Sequence, residues 1–209
     1  MKIYDISLPI HEGMVVYKNR EEKRPRIQVT RDFTNSNAYE SVITMDLHSG
    51  THMDAPLHMI EGGEAIDQQD LYRTISPCRV WDLTHVEDCI RREDVERLDI
   101  KPGDFPLFKT RNSFDQAFNF DFIYLEKGAA AYLRDQGIIG VGIDSLGIER
   151  AQPDHETHRI LMSSKIVIIE GLMLRGIQEG EYLLIALPLR IQGAEASPVR
   201  AVLVEGIDL

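Results

Sequence analysis

The sequence predicts a single α/β domain built around a mixed β-sheet. Its 209 residues are enough for one domain with a substantial buried core. Strand-like and helix-like segments are interleaved without strict alternation, which favours a mixed sheet over a regular series of βαβ units. No internal repeat, low-complexity tract or linker divides the chain. We therefore expect residues 1–209 to form one domain.

Short segments rich in apolar and β-branched residues predict the strands. In chain order, these segments are residues 3–8, 27–33, 41–47, 78–83, 105–110, 138–144, 165–171, 182–187 and 199–204. Gly140 and Gly142 lie inside one of them, and glycines within a strand indicate close packing of the backbone against a neighbour. The run Ile166–Ile169 is apolar throughout, as expected of a buried strand.

Three segments predict helices. Residues 87–98 are charged and periodic, and the Lys-Pro-Gly sequence that follows them ends a helix. Residues 126–136 contain several alanines and stop at Gly137, a residue that commonly ends helices. Residues 154–163 form a shorter helix candidate that contains two histidines.

Two segments predict loops. Residues 61–63, Glu-Gly-Gly, indicate a turn. Residues 111–122 form a polar loop with four phenylalanines: Phe114, Phe118, Phe120 and Phe122. We favour packing within the loop for these rings, with the covering of a pocket as the alternative.

Charge and composition limit the kinds of partner that we expect for this protein. A net charge of -11 disfavours nucleic acid, because phosphates bind to basic surfaces. No stretch approaches the roughly 20 apolar residues of a membrane-spanning helix, and the first residues carry no apolar signal region. Cys78 and Cys89 lack metal-type spacing, which favours a reduced intracellular chain, with one disulfide as the alternative. We expect a soluble cytoplasmic protein without nucleic-acid or membrane partners.

The stretch from His48 to His58 concentrates three histidines and one aspartate in eleven residues. All four lie at even positions, so an extended backbone would project them from one side. A straight strand would place His48 and His52 about 13 Å apart, whereas ligands of one metal ion lie about 2 Å from it. The backbone must therefore bend, and Gly50 is the residue that bends at least cost. We predict a metal-binding bend that follows a strand, suited to zinc, manganese or iron.

Two remote residues are candidate ligands. Glu170 ends an otherwise apolar strand, where an unpaired carboxylate would be costly and a metal ion would compensate for that cost. The alternative is a glutamate that faces solvent as the strand ends. His158 is the other candidate. The sequence His155-Glu-Thr-His158 lacks the two-residue gap of a zinc-protease motif, and Glu149 has no role that the sequence alone explains.

The stretch His48–His58 resembles the His-x-Gly-Thr-His-x-Asp-x-Pro-x-His signature of the cyclase-like metal-dependent hydrolases. This family includes bacterial kynurenine formamidase (arylformamidase) and isatin hydrolase. The likeness covers essentially the whole chain. Its further segments are residues 5–10, 142–145, 158–161, 169–172, 186–189 and 197–200, together with Gly193.

The resemblance implies a role for each matched position. His48, His52 and Asp54 would bind a first zinc ion, and Asp54 would bridge to a second ion that His158 also holds, with Glu170 contributing to the pair. Manganese is the alternative metal. His58 would donate and accept the proton. The resemblance also implies a swivelling β/β/α fold with a β-barrel-like core and flanking helices, assembled as a homodimer or higher homo-oligomer.

The chain departs from the resemblance after the opening strand. The family's formamidases have an aromatic-Pro-Gly-Asp segment there, and this chain has Tyr17-Lys18-Asn19-Arg20. Tyr17 keeps the aromatic position, and the resemblance implies that it contacts substrate. Because the Pro-Gly turn is missing, aryl formamides and chemically related amides are both candidate substrates.

Three functions follow from these observations. The first is a metal-dependent amidohydrolase that cleaves an aryl formamide such as N-formylkynurenine, with a metal-activated water and His58 as proton shuttle. The second is hydrolysis of another cyclic or aryl amide of the isatin or imide kind. The third is a non-catalytic protein that uses the metal for folding, which we rank last because a chain of this length has no need of metal for stability.

Overall fold

Twelve short strands and three helices form the regular structure of residues 1–206, the part of the chain that this computed structural model describes. The strands are β1 Lys2–Asp5, β2 Arg26–Arg31, β3 Glu40–Thr44, β4 His52–Asp54, β5 Ile75–Asp82, β6 Cys89–Ile90, β7 Pro106–Lys109, β8 Tyr124–Leu125, β9 Gly140–Ile143, β10 Val167–Glu170, β11 Gly180–Pro188 and β12 Ala196–Glu205. The helices are α1 Arg92–Val95, α2 Lys127–Gln136 and α3 Glu156–Ser163. Short 3-10 turns connect several of these elements.

Seven of the strands close into a barrel. Their order is β12-β11-β5-β7-β9-β10-β4, and β4 pairs back with β12. The pairs β5–β7, β7–β9 and β9–β10 are parallel, and the other pairs of the barrel are antiparallel. Strand β1 extends the sheet along β12. The mixed sheet and the barrel-like core are therefore confirmed.

The central strands are buried on both faces. Ile169 and Leu107 belong to an apolar cluster that fills the barrel. Ile168 and Phe108, their neighbours along the strands, belong to a second cluster that packs against α2 and α3. Double-sided burial explains the continuous apolar run in β10, since parallel strands covered by helices need apolar side chains on both faces.

Two glycines of β9 are required by this packing. A Cβ atom at Gly142 would lie 2.6 Å from a methyl carbon of Leu107 and 2.7 Å from one of Leu172. A Cβ atom at Gly140 would overlap the ring of Phe105. The close packing predicted for these positions is confirmed.

The helix predicted for residues 87–98 is wrong over most of its length. Only Arg92–Val95 is helical. Cys89 and Ile90 are buried and form β6, which pairs in parallel with β8. Burial of this pair against the distant 124–125 segment overrides the helical periodicity, because local propensity is a weak preference.

The other two helices match their predictions closely. Helix α2 ends at Gly137, whose φ of +76° is the left-handed conformation that glycine adopts at least cost. Helix α3 begins at Glu156 rather than at residue 154, because Asp154 and His155 have positive φ. Cys78 and Cys89 are free and buried, as expected of a reduced chain.

Strands β2 and β3 form a separate hairpin outside the barrel, and every residue in them is exposed. Ile27 lies opposite Ile43, and Val29 follows on the same face. These three side chains, which we call the hairpin apolar face, keep 41–51% of their surface exposed. The predicted strand 41–47 ends at Thr44, where the chain turns toward the histidine-rich stretch. No helix within residues 1–206 has the length and apolarity to cross a membrane.

Candidate metal centre

A short strand carries two of the candidate ligands. The backbone bends at Gly50, whose φ is +73°, and then enters β4. Met53 in the middle of β4 packs inside the barrel, so the alternate residues His52 and Asp54 face the opposite side, toward the helices. The bend was expected; the strand that follows it was not.

Cross-strand register brings Glu170 to these residues. His52 lies directly opposite Glu170 in the antiparallel pair of β4 and β10. Directly opposite residues share a face of the sheet, and His52 Nε2 lies 3.3 Å from Glu170 Oε2. Glu170 is only 4% exposed, so the solvent-facing alternative for this residue is wrong.

Helix α3 supplies His158 from above the sheet. The buried residues of this helix are Thr157, His158, Leu161 and Met162, a spacing that forms one helical face. His158 Nε2 lies 3.5 Å from Asp54 Oδ2 and 3.3 Å from Glu170 Oε1. His48, at the start of the stretch, places Nδ1 2.9 Å from Asp54 Oδ1.

Asp54 provides the test of whether this site fits a metal ion. Both of its carboxylate oxygens are buried and accept no hydrogen bond from the part of the chain that the structure describes, and His52 Nε2 is likewise buried without a partner there. The nearby nitrogens therefore approach the carboxylate without the geometry of hydrogen bonds. Buried polar atoms without partners are rare and costly. Lone pairs that converge on a common point are the arrangement that a cation satisfies, so the residues fit a metal ion.

Asp54 also belongs to two possible ligand groups. One contains His48, Asp54 and His58, and the other contains His52, Asp54 and Glu170. Within each group the candidate ligand atoms lie within 4.8 Å of one another. A shared carboxylate between two such groups is suited to bridge two ions.

The second nitrogen of each inner histidine has a partner that sets its orientation. His52 Nδ1 lies 3.0 Å from the Gly50 carbonyl oxygen, to which it donates. His158 Nδ1 lies 2.5 Å from Glu149 Oε1. Such contacts fix the tautomer and aim the other nitrogen, Nε2, at the metal position.

Glu149 is the functional residue that sequence reasoning missed. Its carboxylate is buried and also accepts hydrogen bonds from Gln152 and from the Thr157 backbone. His155 Nδ1 lies 3.0 Å from the same carboxylate. No local motif marks Glu149, because its contact with His158 depends on how the chain folds back before α3.

The histidines and carboxylates of the centre shift one another's pKa values. Burial lowers the pKa of His52, but the neighbouring carboxylate of Glu170 and the charge of Asp54 raise it to about 9. Burial raises the pKa of Asp54, yet His158 and His48 hold that pKa well below its ordinary value. In the metal-free chain, protons on the imidazoles thus supply the positive charge that a bound cation would supply instead.

His58 lies beside the centre. Its ring centroid is 4.2 Å from that of His48 and 5.7 Å from that of His158. Burial lowers the pKa of His58, which keeps the imidazole neutral near pH 7. Both proton transfer and metal ligation fit this position, so its role stays a prediction.

A cavity of about 380 Å³ opens onto the centre. Tyr17 lines it beside His48, His58, His158 and Glu170. Two rings of the 111–122 loop pack edge-on against Tyr17, Phe118 at a centroid distance of 5.2 Å and Phe122 at 6.3 Å. These two rings support the cavity wall, whereas Phe114 and Phe120 are largely exposed.

Fold and site together define a closed-barrel protein whose histidines and carboxylates are arranged to bind divalent metal ions. Residues 4–150 match the model of the Cyclase family ("Putative cyclase"). The chain belongs to this family, and the resemblance seen in the sequence is confirmed.

Individual relatives and solved structures are consistent with this family assignment. The chain is 32% identical to a kynurenine formamidase of Salinibacter ruber, over 100% of both chains. A solved structure described as a potential metal-dependent hydrolase with cyclase activity is 51% identical, with a TM-score of 0.90 over 97% of this chain and 96% of that one. Isatin hydrolase A from Labrenzia aggregata has a TM-score of 0.84 at 22% identity, over 97% of this chain and 93% of its own, which shows the shared fold.

Proposed function

We propose that this protein is a metal-dependent amidohydrolase that cleaves an aryl formamide, such as N-formylkynurenine to kynurenine and formate. It is a hydrolase of C–N bonds other than peptide bonds, in line with full-length relatives named kynurenine formamidase. The proposal is carried by the environment of the Asp54 carboxylate. Its two buried oxygens accept no hydrogen bond from residues 1–206 and lie between two ligand groups, at a cavity with an aromatic wall.

We assign the ligands as the family resemblance implies. His48, His52 and Asp54 would hold one zinc ion, and Asp54 and His158 would hold a second, with Glu170 contributing to the pair and manganese as the alternative metal. A divalent ion supplies Lewis acidity, which polarises a carbonyl oxygen and makes water more acidic.

The protein side chains supply positioning and proton transfer. Tyr17, supported by Phe118 and Phe122, packs against the aryl ring and orients the formamide toward the centre. His58 is neutral near pH 7 because burial lowers its pKa. Its imidazole therefore accepts the proton of the attacking water and delivers it to the departing aniline nitrogen. The aniline and formate then leave through the open side of the cavity.

Hydrolysis of N-formylkynurenine after chelation and metal addition tests this proposal. We expect turnover that depends on added zinc or manganese, with kcat/KM of about 10⁴ M⁻¹s⁻¹ or more. Metal binding without turnover would reject the aryl formamide and direct the assay to cyclic amides of the isatin or imide kind. Unfolding on chelation, without activity on any amide, would instead support a structural metal.

We also propose that the protein forms a homodimer or higher homo-oligomer. The hairpin apolar face of Ile27, Val29 and Ile43 supports this, because an isolated two-stranded hairpin is marginally stable unless something covers its apolar side. A second copy of the chain is the partner we assign. Sedimentation equilibrium measures the assembly directly, and a monomer at micromolar concentration would contradict it.

We place the protein in the cytoplasm as a single domain over residues 1–209. Its two cysteines are buried and unpaired, as is usual in a reducing compartment. The Salinibacter ruber relative matches the chain from end to end. Cell fractionation with an antibody against the protein tests the location, and recovery in the periplasm would contradict it.

A further inference from the structure

The mouth of the cavity carries three positive side chains, those of Lys18, Arg20 and Lys23. The whole chain has a net charge of -11, so this cluster opposes the overall charge. The acidic residues that line the cavity are Glu149 and Glu170, and both contact histidines of the metal centre. A patch of opposite sign at a site entrance is suited to attract a ligand of the opposite charge.

Two of these cations have no acidic partner among the described residues. Lys23 pairs with Asp46 at 3.0 Å. Within residues 1–206, neither Lys18 nor Arg20 forms an ion pair, and the adjacent Glu21 pairs with Arg24 instead. The Lys18 ammonium lies 5.1 Å from the centroid of the Tyr17 ring. Positive charge is therefore available next to the aromatic wall.

The backbone holds these side chains at the mouth. Lys18 and Asn19 have φ of +55° and +53°, a left-handed conformation that is uncommon outside glycine. The turn is closed by hydrogen bonds from the Asn19 amide to Val16 and from the Arg20 amide to Tyr17. Val16 is buried and anchors it. Strain of this kind, held by surrounding structure, is characteristic of functional segments.

We propose that Lys18 and Arg20 bind a carboxylate of the substrate, at a point remote from the amide bond that is cleaved. The proposal rests on the proposed amidohydrolase function and narrows its substrates to aryl amides that carry a carboxylate. Arginine suits this role because its planar guanidinium donates two parallel hydrogen bonds to a carboxylate. Lys18 adds a second positive charge beside the ring that packs on the aryl group.

Three aryl formamides of different charge test the inference with the zinc-loaded protein. They are formanilide, which is neutral, 4-formamidobenzoate, which is anionic, and 4-(aminomethyl)formanilide, which is cationic. We expect kcat/KM to fall in the order anion, neutral, cation. For the anion, kcat/KM should also fall as sodium chloride is raised from about 20 to about 200 mM, because salt screens the attraction.

Substitution of Arg20 separates binding from chemistry. In Arg20→Gln, the ratio of kcat/KM for the anion to that for formanilide should fall about tenfold, mainly through KM. Arg26→Gln makes the same change of charge outside the cavity and should leave that ratio unaltered. Equal kcat/KM for the anionic and neutral amides, with no change of the ratio in Arg20→Gln, would overturn the inference while leaving the amidohydrolase function intact.

A binding measurement decides the matter if none of these amides is hydrolysed. Benzenesulfonate is an anion that binds zinc weakly, so its affinity for the zinc-loaded protein reports on the cations at the mouth. Titration calorimetry should show weaker binding to Arg20→Gln than to the wild type or Arg26→Gln. Equal affinity for all three proteins would reject the anion site, independently of the reaction.

Discussion

The stretch 48–58 and the segment 17–44 differ in how their backbones are held. Strand β4 pairs with β10 on one side and β12 on the other. Thr51 Oγ1 donates to the Gly171 carbonyl at 2.5 Å and accepts from the Leu8 amide at 2.8 Å. The hairpin of β2 and β3, by contrast, forms a sheet only with itself and is exposed throughout.

This difference suits the stretch 48–58 to metal binding and the segment 17–44 to recognition of substrate or of a second subunit. Ligands of a metal must be held within fractions of an ångström, which requires a backbone bonded on both sides. Side chains that meet substrate or a second subunit must stay exposed, and loops on a rigid scaffold provide that. We expect substitutions in the first region to affect metal and turnover, and substitutions in the second to affect specificity and assembly.

Asp54→Asn should have the largest effect. It removes the charge shared by both ligand groups, so bound metal should be lost. Because metal polarisation contributes several kcal/mol, activity should fall about a thousandfold or more. Metal analysis of the purified protein measures the first effect and an amide assay the second. Asp135→Asn, at an exposed position of α2, is the control, and a fully metallated Asp54→Asn would contradict the bridging role.

His58→Ala should have the second-largest effect on activity. Loss of the proton carrier should lower kcat about 10²- to 10⁴-fold, while metal content stays near that of the wild type. Parallel metal analysis and kinetics make the measurement. Lost metal in this variant would show that His58 is a ligand, as its place in a ligand group with His48 and Asp54 also permits.

Glu149→Gln should weaken metal binding without abolishing it. The carboxylate orients His158, and loss of such a contact commonly costs about 10- to 100-fold in metal affinity. Competition with a chromogenic chelator measures that affinity. Glu156→Gln is the matched control, because Glu156 pairs with Lys127 at the surface instead. Unchanged affinity in Glu149→Gln would limit the residue to a structural role.

Metal affinity should rise with pH. Without metal, the pKa of His52 is raised to about 9, so the imidazole is protonated at pH 7 and must lose its proton to bind. Affinity should therefore fall about tenfold per pH unit below 9 for that one proton. Calorimetry in buffers of different ionisation enthalpy measures the protons released, and zero release at pH 7 would contradict the raised pKa.

The smallest effect on the metal centre should come from the hairpin. Ile27→Ser combined with Ile43→Ser should shift a dimer toward monomer, because it removes apolar surface that a second copy would cover. Metal content should not change. Gln28→Ser with Thr44→Ser alters the opposite face of the same strands and serves as control. Dimers of equal stability in both pairs of variants would exclude this face as the interface.

Local sequence patterns predicted the regular helices and strands of the fold. They failed where contacts between distant segments determine the secondary structure. Helix α2 and most barrel strands followed from periodicity and from stop signals such as Gly137. The 87–98 segment did not become one helix, because Cys89 and Ile90 pair with residues more than thirty positions away. Strand β4 was missed because its three residues form a strand only by pairing with β10 and β12.

Residue types and their spacing were enough to predict the chemical groups at the centre. His48, His52, Asp54 and His58 lie in one stretch whose spacing and Gly50 allow few arrangements, and Glu170 ends a buried strand. The contact of Glu149 with His158 and the packing of Phe118 on Tyr17 could be seen only in the folded chain. The physical reason is that ligand type and spacing are local properties of the chain. The partners that orient a ligand or build a pocket wall come from distant segments, which meet only when the barrel and its helices pack together.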